Sequence, residues 1–168
     1  TYANNNKINS CLKHFPGYGN NKDTHTDVVY DNRSYDEISN NDYEPFKAGI
    51  KAHVPSILVS HNIVESIDKN YPASLSKNIH KELRNKLKFS GIIMTDDLSM
   101  GAVKSFNKDK SSATLAINAG NDIIITSDFI TMRDEILKAY EEGKIKEKTI
   151  NKAVLRVIAW KYYSGILK

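Results

Sequence analysis

Lys13-His14-Phe15-Pro16-Gly17-Tyr18-Gly19-Asn20-Asn21-Lys22-Asp23-Thr24-His25 decides how this chain reads. An apolar approach of Ile8, Cys11 and Leu12 leads into it, and Pro16, Gly17 and Gly19 then break extended structure. Two glycines and a proline this close together mark a turn with special backbone demands. Ile8 to Phe15 is therefore read as a first strand, with Lys13 and His14 at its end. The Phe15-Pro16 bond in such a turn is a candidate for the cis form. Beyond the turn, Asp23 stands two residues before His25. A carboxylate so placed can fix the imidazole tautomer and raise its basicity.

Working outward, Asn20 to Asn41 is polar and reads as a long loop, the kind that is often functional in a compact domain. Ser34 to Ile38 reads as a helical turn within it. Asp42 is a candidate cap for a helix through Ala52, with Phe46 and Ile50 four apart, and Pro55 stops it. Ser56 to Ser60 is a short apolar strand ending at His61-Asn62, and Ile63 to Ala73 is a loop. Ser74 or Ser76 then caps a helix with Ile79, Leu83 and Leu87 on one stripe. Gly91 to Thr95 is a third strand ending at Asp96, and Asp122 to Thr126 a fourth. Helices are expected at Ser112 to Ala119, Thr131 to Glu142 and Glu147 to Tyr163, the second closed by Gly143.

The order is β-α-β-α-β-α-β-α-α, an α/β pattern of parallel βα repeats. Each strand is short and continuously apolar, as buried parallel strands are. Lys13, His14, His61 and Asp96 all fall at strand C-terminal ends, where α/β folds place their sites. No G-x-G-x-x-G fingerprint or Walker loop accompanies the strands, so dinucleotide and nucleotide binding have no support.

Composition narrows the class further. The chain has 168 residues and a formal charge of +4. Its lysines are scattered along helices rather than clustered with aromatics, so they read as solvated faces and no nucleic-acid partner is expected. The single cysteine, Cys11, leaves no internal disulfide framework and reads as a buried apolar residue of the first strand. His14, His25, His53, His61 and His80 lack zinc-motif spacing, so no metal site is implied; no cofactor is expected either. No apolar run reaches the length of about 18 residues that a membrane-spanning helix needs. The start at Thr1, without Met and close to strand-like sequence, reads as an interior cut, and the compartment stays open.

Lys13 to His25 resembles the K-H-F-P-G-H-G…D-S/T-H signature of family 3 glycoside hydrolases, in their β-N-acetylglucosaminidase (β-hexosaminidase) branch. Gly91-Ile92-Ile93-Met94-Thr95-Asp96-Asp97-Leu98-Ser99-Met100 resembles the family's second signature. Pro72 to Ser76 and Ala119 to Asp122 are lesser echoes. The resemblance implies that residues 1–168 are a single α/β unit, the second half (strands 5–8) of a (β/α)8 barrel, whose whole takes about 250 residues. A self-contained open α/β domain is the alternative. As a half-barrel, the chain is expected to leave the inner sheet face bare at Ile57, Val59, Ile92, Met94, Ile123 and Ile125. It would then keep a partner, either the missing N-terminal half or a second copy of itself.

The resemblance also implies roles. Asp96 corresponds to the nucleophile and His25 to the general acid/base, held by Asp23. Lys13 and His14 correspond to the sugar-binding pair. Capping is the alternative for Asp96, and it fits Asp97 better. His61 either faces the sugar or is structural, and Met100 is either an apolar lip or core. Tyr18 stands where most members have His, which puts any role of that His in doubt. The implied activity is retaining cleavage of terminal β-N-acetylglucosamine from amino-sugar glycosides such as peptidoglycan fragments. A phosphorylase or β-glucosidase of the same family, or a non-catalytic sugar-binding module, are the alternatives.

Overall fold

The computed structural model describes residues 8–19, 28–106 and 111–167. Asp23 and His25 lie outside the described residues. In chain order the strands are β1 (Cys11–Phe15), β2 (Tyr30–Asp31), β3 (Ser56–Val59), β4 (Ile63–Val64), β5 (Ile92–Asp97) and β6 (Ile123–Ile125). The helices are α1 (Tyr35–Glu37), α2 (Tyr43–Lys51), α3 (Lys77–Lys81), α4 (Gly101–Phe106), α5 (Ser112–Ala119), α6 (Phe129–Glu141) and α7 (Glu147–Tyr163). Single π-helical turns precede α2 at Ile38–Asp42 and follow α3 at Glu82–Lys86.

Four strands form one parallel sheet in the order β1-β3-β5-β6. The expected repeat of parallel strands and helices is therefore present. A second sheet was not expected: β2 pairs in parallel with β4, Tyr30 opposite Ile63 and Asp31 opposite Val64. Both fall in segments read as loops, because two-residue strands carry no periodicity to detect.

Local chemistry sets the helix starts. The Ser76 hydroxyl accepts from the N–H groups of Asn78 and Ile79, both at 3.2 Å, and so caps α3. Ser34, Ser111 and Asp128 cap α1, α5 and α6 in the same way. Asp42 makes no capping bond, because its carboxylate is taken by Arg33.

Helices cover one face of the sheet. Phe15, Ile57, Val59 and Ile93 pack there with Ile38, Tyr43, Phe46, Ile79 and Leu83. Phe15 is the centre of an aromatic group, 5.0 Å from the Phe46 ring edge-on and 5.2 Å from Tyr43. Ile57, Val59 and Ile92 were expected to lie bare and are instead buried. Ile57 and Val59 alternate onto the helix-covered face. Met94, Ile123 and Ile125 are half-buried. Cys11 was expected to be buried and is exposed. It lies on edge strand β1, on the same side as exposed Lys13.

The N-terminal edge of the sheet is tied by one carboxylate. Asp122 accepts from Arg84 Nη2 at 2.6 Å, Arg156 Nη1 at 2.9 Å and the Ile93 N–H at 2.9 Å. Arg84 Nη1 also donates to the carbonyls of Phe89 and Gly91, at 3.0 and 2.6 Å. One buried anion thus joins the turn after α3, the starts of β5 and β6, and α7. Gly91 sits in this corner because a Cβ there would meet the Pro55 carbonyl oxygen at 2.5 Å.

Removing one partner of a buried charge network leaves the others uncompensated, at about 3–5 kcal/mol. Asp122→Ala in the full-length protein is expected to lower the melting temperature by several degrees, whereas Lys69→Ala leaves it unchanged. Equal melting temperatures for both variants would contradict this role for Asp122.

Candidate active site

The parallel register brings three strand ends together. Phe15 lies opposite Val59, and Val59 opposite Thr95. Beyond these pairs follow Pro16 after β1, Ser60-His61-Asn62 after β3, and Asp96-Asp97 on β5. Ser60 ties the first two ends: its N–H and its hydroxyl both donate to the Phe15 carbonyl, at 2.9 and 3.0 Å. That single hydroxyl proton is shared with Asn62 Oδ1, and the Asn62 amide nitrogen donates to the Gly17 carbonyl at 3.3 Å. The peptide bonds Lys13–His14 and Phe15–Pro16 are both cis.

Asp96 is half-buried at this edge. Its Oδ1 accepts from the Asp97 N–H at 2.9 Å, and its Oδ2 lies 3.5 Å from His14 Nε2. The carboxylate is thus anchored by one oxygen and faces an imidazole with the other, and both side chains remain accessible, at 28% for His14 and 22% for Asp96. The ring of Tyr18 meets His14 edge-on, with centroids 5.3 Å apart and planes at 80°. Lys13 is exposed on the preceding residue, and Met100 is half-buried in the turn after β5.

Asp97 has a different environment. Its Oδ1 accepts from the N–H groups of Ser99 and Ser127, at 2.8 and 3.3 Å. Partial burial pushes this carboxyl up, but those donors outweigh it and hold it below the usual range. Asp97 is therefore the capping carboxylate of the pair, and Asp96 the one turned to the open edge.

His61 is fully buried, with both ring nitrogens engaged. Nε2 lies 3.0 Å from the Asp97 carbonyl and Nδ1 2.8 Å from the Ser74 hydroxyl. A carbonyl only accepts, so Nε2 carries the proton and Nδ1 accepts from Ser74. Burial lowers the His61 pKa and keeps the ring neutral. Its geometry is that of a brace between the Asp96–Asp97 strand end and the Ser74 turn, a role the sequence left open between ligand and structure. His80 is likewise buried and shifted down by burial, with Nδ1 2.7 Å from the Ser76 carbonyl.

Beneath the glycine turn lies a group that sequence reading did not find. Arg33 bridges Asp31 and Asp42, with contacts of 2.7 and 2.8 Å. Asp31-Asn32-Arg33 carries no periodic signal, and its partner Asp42 was read as a helix cap. Among the described residues, no group of three or more His, Cys, Asp or Glu could hold a metal ion.

A parallel βα sheet with an anchored, accessible carboxylate at its C-terminal edge has the layout in which α/β folds present polar groups beyond their strand ends. Sequence comparison narrows that class: residues 3–160 match the glycosyl hydrolase family 3 N-terminal domain, and the chain belongs to this family. It is 34% identical over 159 residues to an uncharacterized secreted glycosyl hydrolase of Arthroderma benhamiae, covering 89% of this chain and 45% of that protein. It is 34% identical over 130 residues to a β-hexosaminidase of Nitrosomonas eutropha, covering 77% and 37%. The structure superposes on a family 3 β-N-acetylglucosaminidase from a Paenibacillus species with a TM-score of 0.89 at 27% identity, covering 96% of this chain and 32% of that one. The chain thus spans less than half the length of these relatives. Its sheet has the α/β fold of their barrel domain.

The two buried histidines set a pH dependence. Each titrates near 6.5 when unfolded and lower when folded. The unfolded chain therefore binds more protons below that pH, so stability is full above it and falls as pH drops through 6.5 towards the folded value. The melting temperature of the full-length protein is expected to fall between pH 7.5 and 5.5, and His80→Gln to reduce that fall. An equal fall in the variant would remove His80 from the account.

Proposed function

We propose that this chain carries the nucleophile side of a retaining β-N-acetylglucosaminidase. The observation that carries the proposal is Asp96, held through Oδ1 by the Asp97 N–H, with Oδ2 open beside His14. The β-hexosaminidase names of the relatives, and the family 3 β-N-acetylglucosaminidase on which the structure superposes, support a terminal N-acetylglucosamine as the sugar.

In this reading Asp96 Oδ2 attacks the anomeric carbon as the bond to the aglycone oxygen breaks, forming a glycosyl-enzyme ester. His25 as imidazolium donates its proton to the departing oxygen, and Asp23 favours that charged form. Water then attacks the same carbon, gives its proton to His25 and frees Asp96, in the two-step order of retaining enzymes. Lys13 and His14 bind sugar hydroxyls. His61 holds the strand end in place, and Met100 borders the site.

We also propose that the unit is one part of the family's barrel. Among the described residues, β1 and β6 are the outer strands of the sheet. Helix α7 exposes Val154, Leu155, Ile158, Tyr162 and Tyr163, and α6 exposes Phe129, Ile130 and Leu137. These faces fit packing against the rest of a longer chain or against a second copy. Light scattering of residues 1–168 alone is expected to show self-association at micromolar concentration. A monodisperse monomer with cooperative unfolding would contradict this reading.

Asp96→Asn in the full-length enzyme is expected to fold normally and to lose turnover of an aryl N-acetylglucosaminide. An activated 2-fluoro sugar is expected to label Asp96, read by peptide mass. His25→Ala should slow substrates with poor leaving groups by about 10²–10⁴-fold and spare activated aryl glycosides. Labelling of another residue, or an active Asp96→Asn enzyme, would overturn the assignment. Release of a sugar phosphate in phosphate buffer would make phosphate the acceptor.

A further inference from the structure

Tyr18 occupies the position where the resembling signature has His, and its surroundings fix it from both sides. Gly17 and Gly19 flank it with φ of 122° and 54°, in the left-handed region where side chains are rarely tolerated. A Cβ on Gly17 would overlap the Asp42 carboxylate, and one on Gly19 would come within 2.5 Å of the Arg33 guanidinium carbon. The backbone on either side of Tyr18 therefore lies directly on the Arg33–Asp42 ion pair. Arg33 is itself locked to Asp31 at 2.7 Å and to Asp42 at 2.8 Å. The Asn62 amide also donates to the Gly17 carbonyl, at 3.3 Å.

This base delivers the Tyr18 ring to one place, edge-on to His14 at 5.3 Å and 80°. Edge-to-face geometry is the arrangement that the charge distributions of two aromatic rings favour. His14 Nε2 in turn lies 3.5 Å from Asp96 Oδ2. A continuous line of contacts thus runs from the Asp31–Arg33–Asp42 cluster through the glycine turn, Tyr18 and His14 to the carboxylate.

We propose that Tyr18 is a positioning residue that holds the His14 imidazole against Asp96, with the Asp31–Arg33–Asp42 cluster as the base that fixes Tyr18. The inference rests on Asp96 as nucleophile and adds how that carboxylate's neighbour is kept in place. The aromatic ring is the working part of Tyr18. A histidine at this position offers a smaller ring for the same contact.

The test is made in the full-length enzyme, reading the rate at which an activated 2-fluoro sugar forms the Asp96 ester. Tyr18→Ala is expected to slow ester formation about three- to tenfold, the size that loss of one such ring contact supports. Because His14 is also placed on the sugar hydroxyls, the loss should appear both in the maximal rate and in the sugar concentration for half-maximal rate, and Tyr18→Phe should restore both. Tyr18→Phe is expected to stay within about twofold of the parent. Should Tyr18→Ala fail to fold by circular dichroism, Tyr18→Leu keeps the bulk, lacks the ring and carries the same expectation. Tyr18→Phe as slow as Tyr18→Ala, or unchanged rates in both the Ala and Leu variants, would overturn the proposal while leaving Asp96 as nucleophile. Absence of any label on Asp96 in the parent enzyme would overturn both.

Discussion

The Phe15 carbonyl accepts two hydrogen bonds from Ser60, one from its N–H and one from its hydroxyl. That junction fixes how far β1 runs past β3, and the arrangement at the sheet's C-terminal edge depends on it. A one-residue slip of β1 would turn His14 to the opposite face of the sheet, away from Asp96. It would also withdraw Phe15 from between Phe46 and Tyr43. The packing of the core and the geometry of the site are therefore set by the same register. Buried polar groups at Ser60, His61, Asn62 and Ser74 continue the lock, with His61 joining Ser74 to the end of β5.

The two edges of the sheet are held by different means. At the N-terminal edge, Asp122 gathers two partly exposed arginines and a backbone N–H around one buried carboxylate. At the C-terminal edge, the polar groups of Ser60, Asn62 and His61 bond to backbone carbonyls and leave one carboxylate oxygen and one imidazole facing the open side. This division matches the general layout of βα folds, in which one end stabilises and the other carries chemistry. It also accounts for the opposite fates of two adjacent residues. The Asp97 carboxylate is consumed by the N–H groups of Ser99 and Ser127, while Asp96 spends one oxygen on the Asp97 N–H and turns the other to His14.

Much of this was legible in the sequence. Apolar runs at 56–60, 91–95 and 122–126 marked the parallel strands, because strands buried on both faces leave continuous rather than alternating patterns. Ser76, one of the two serines offered as a cap, and Gly143 marked helix ends. The pairing of β2 with β4 was not legible, since two residues make no pattern. Nor was the Arg33 cluster, whose partners are brought together by the fold; the same holds for Arg84 and Arg156, which reach Asp122 from 38 and 34 residues away. Cys11 was misread because strand membership was taken to mean burial, whereas β1 is an edge. His61 shows the limit at the site itself: a histidine at a strand end reads alike whether it points to a ligand or, as here, between another strand's end and the Ser74 turn.

A crystal structure of the full-length protein with a stable N-acetylglucosamine-derived inhibitor bound tests the central claim most directly. The account predicts the anomeric carbon of the sugar within bonding approach of Asp96 Oδ2, with His14 and Lys13 on the sugar hydroxyls and His61 still enclosed between Ser74 and Asp97. A sugar seated away from the C-terminal edge of β1, β3 and β5, or with its anomeric carbon turned from Asp96, would contradict it.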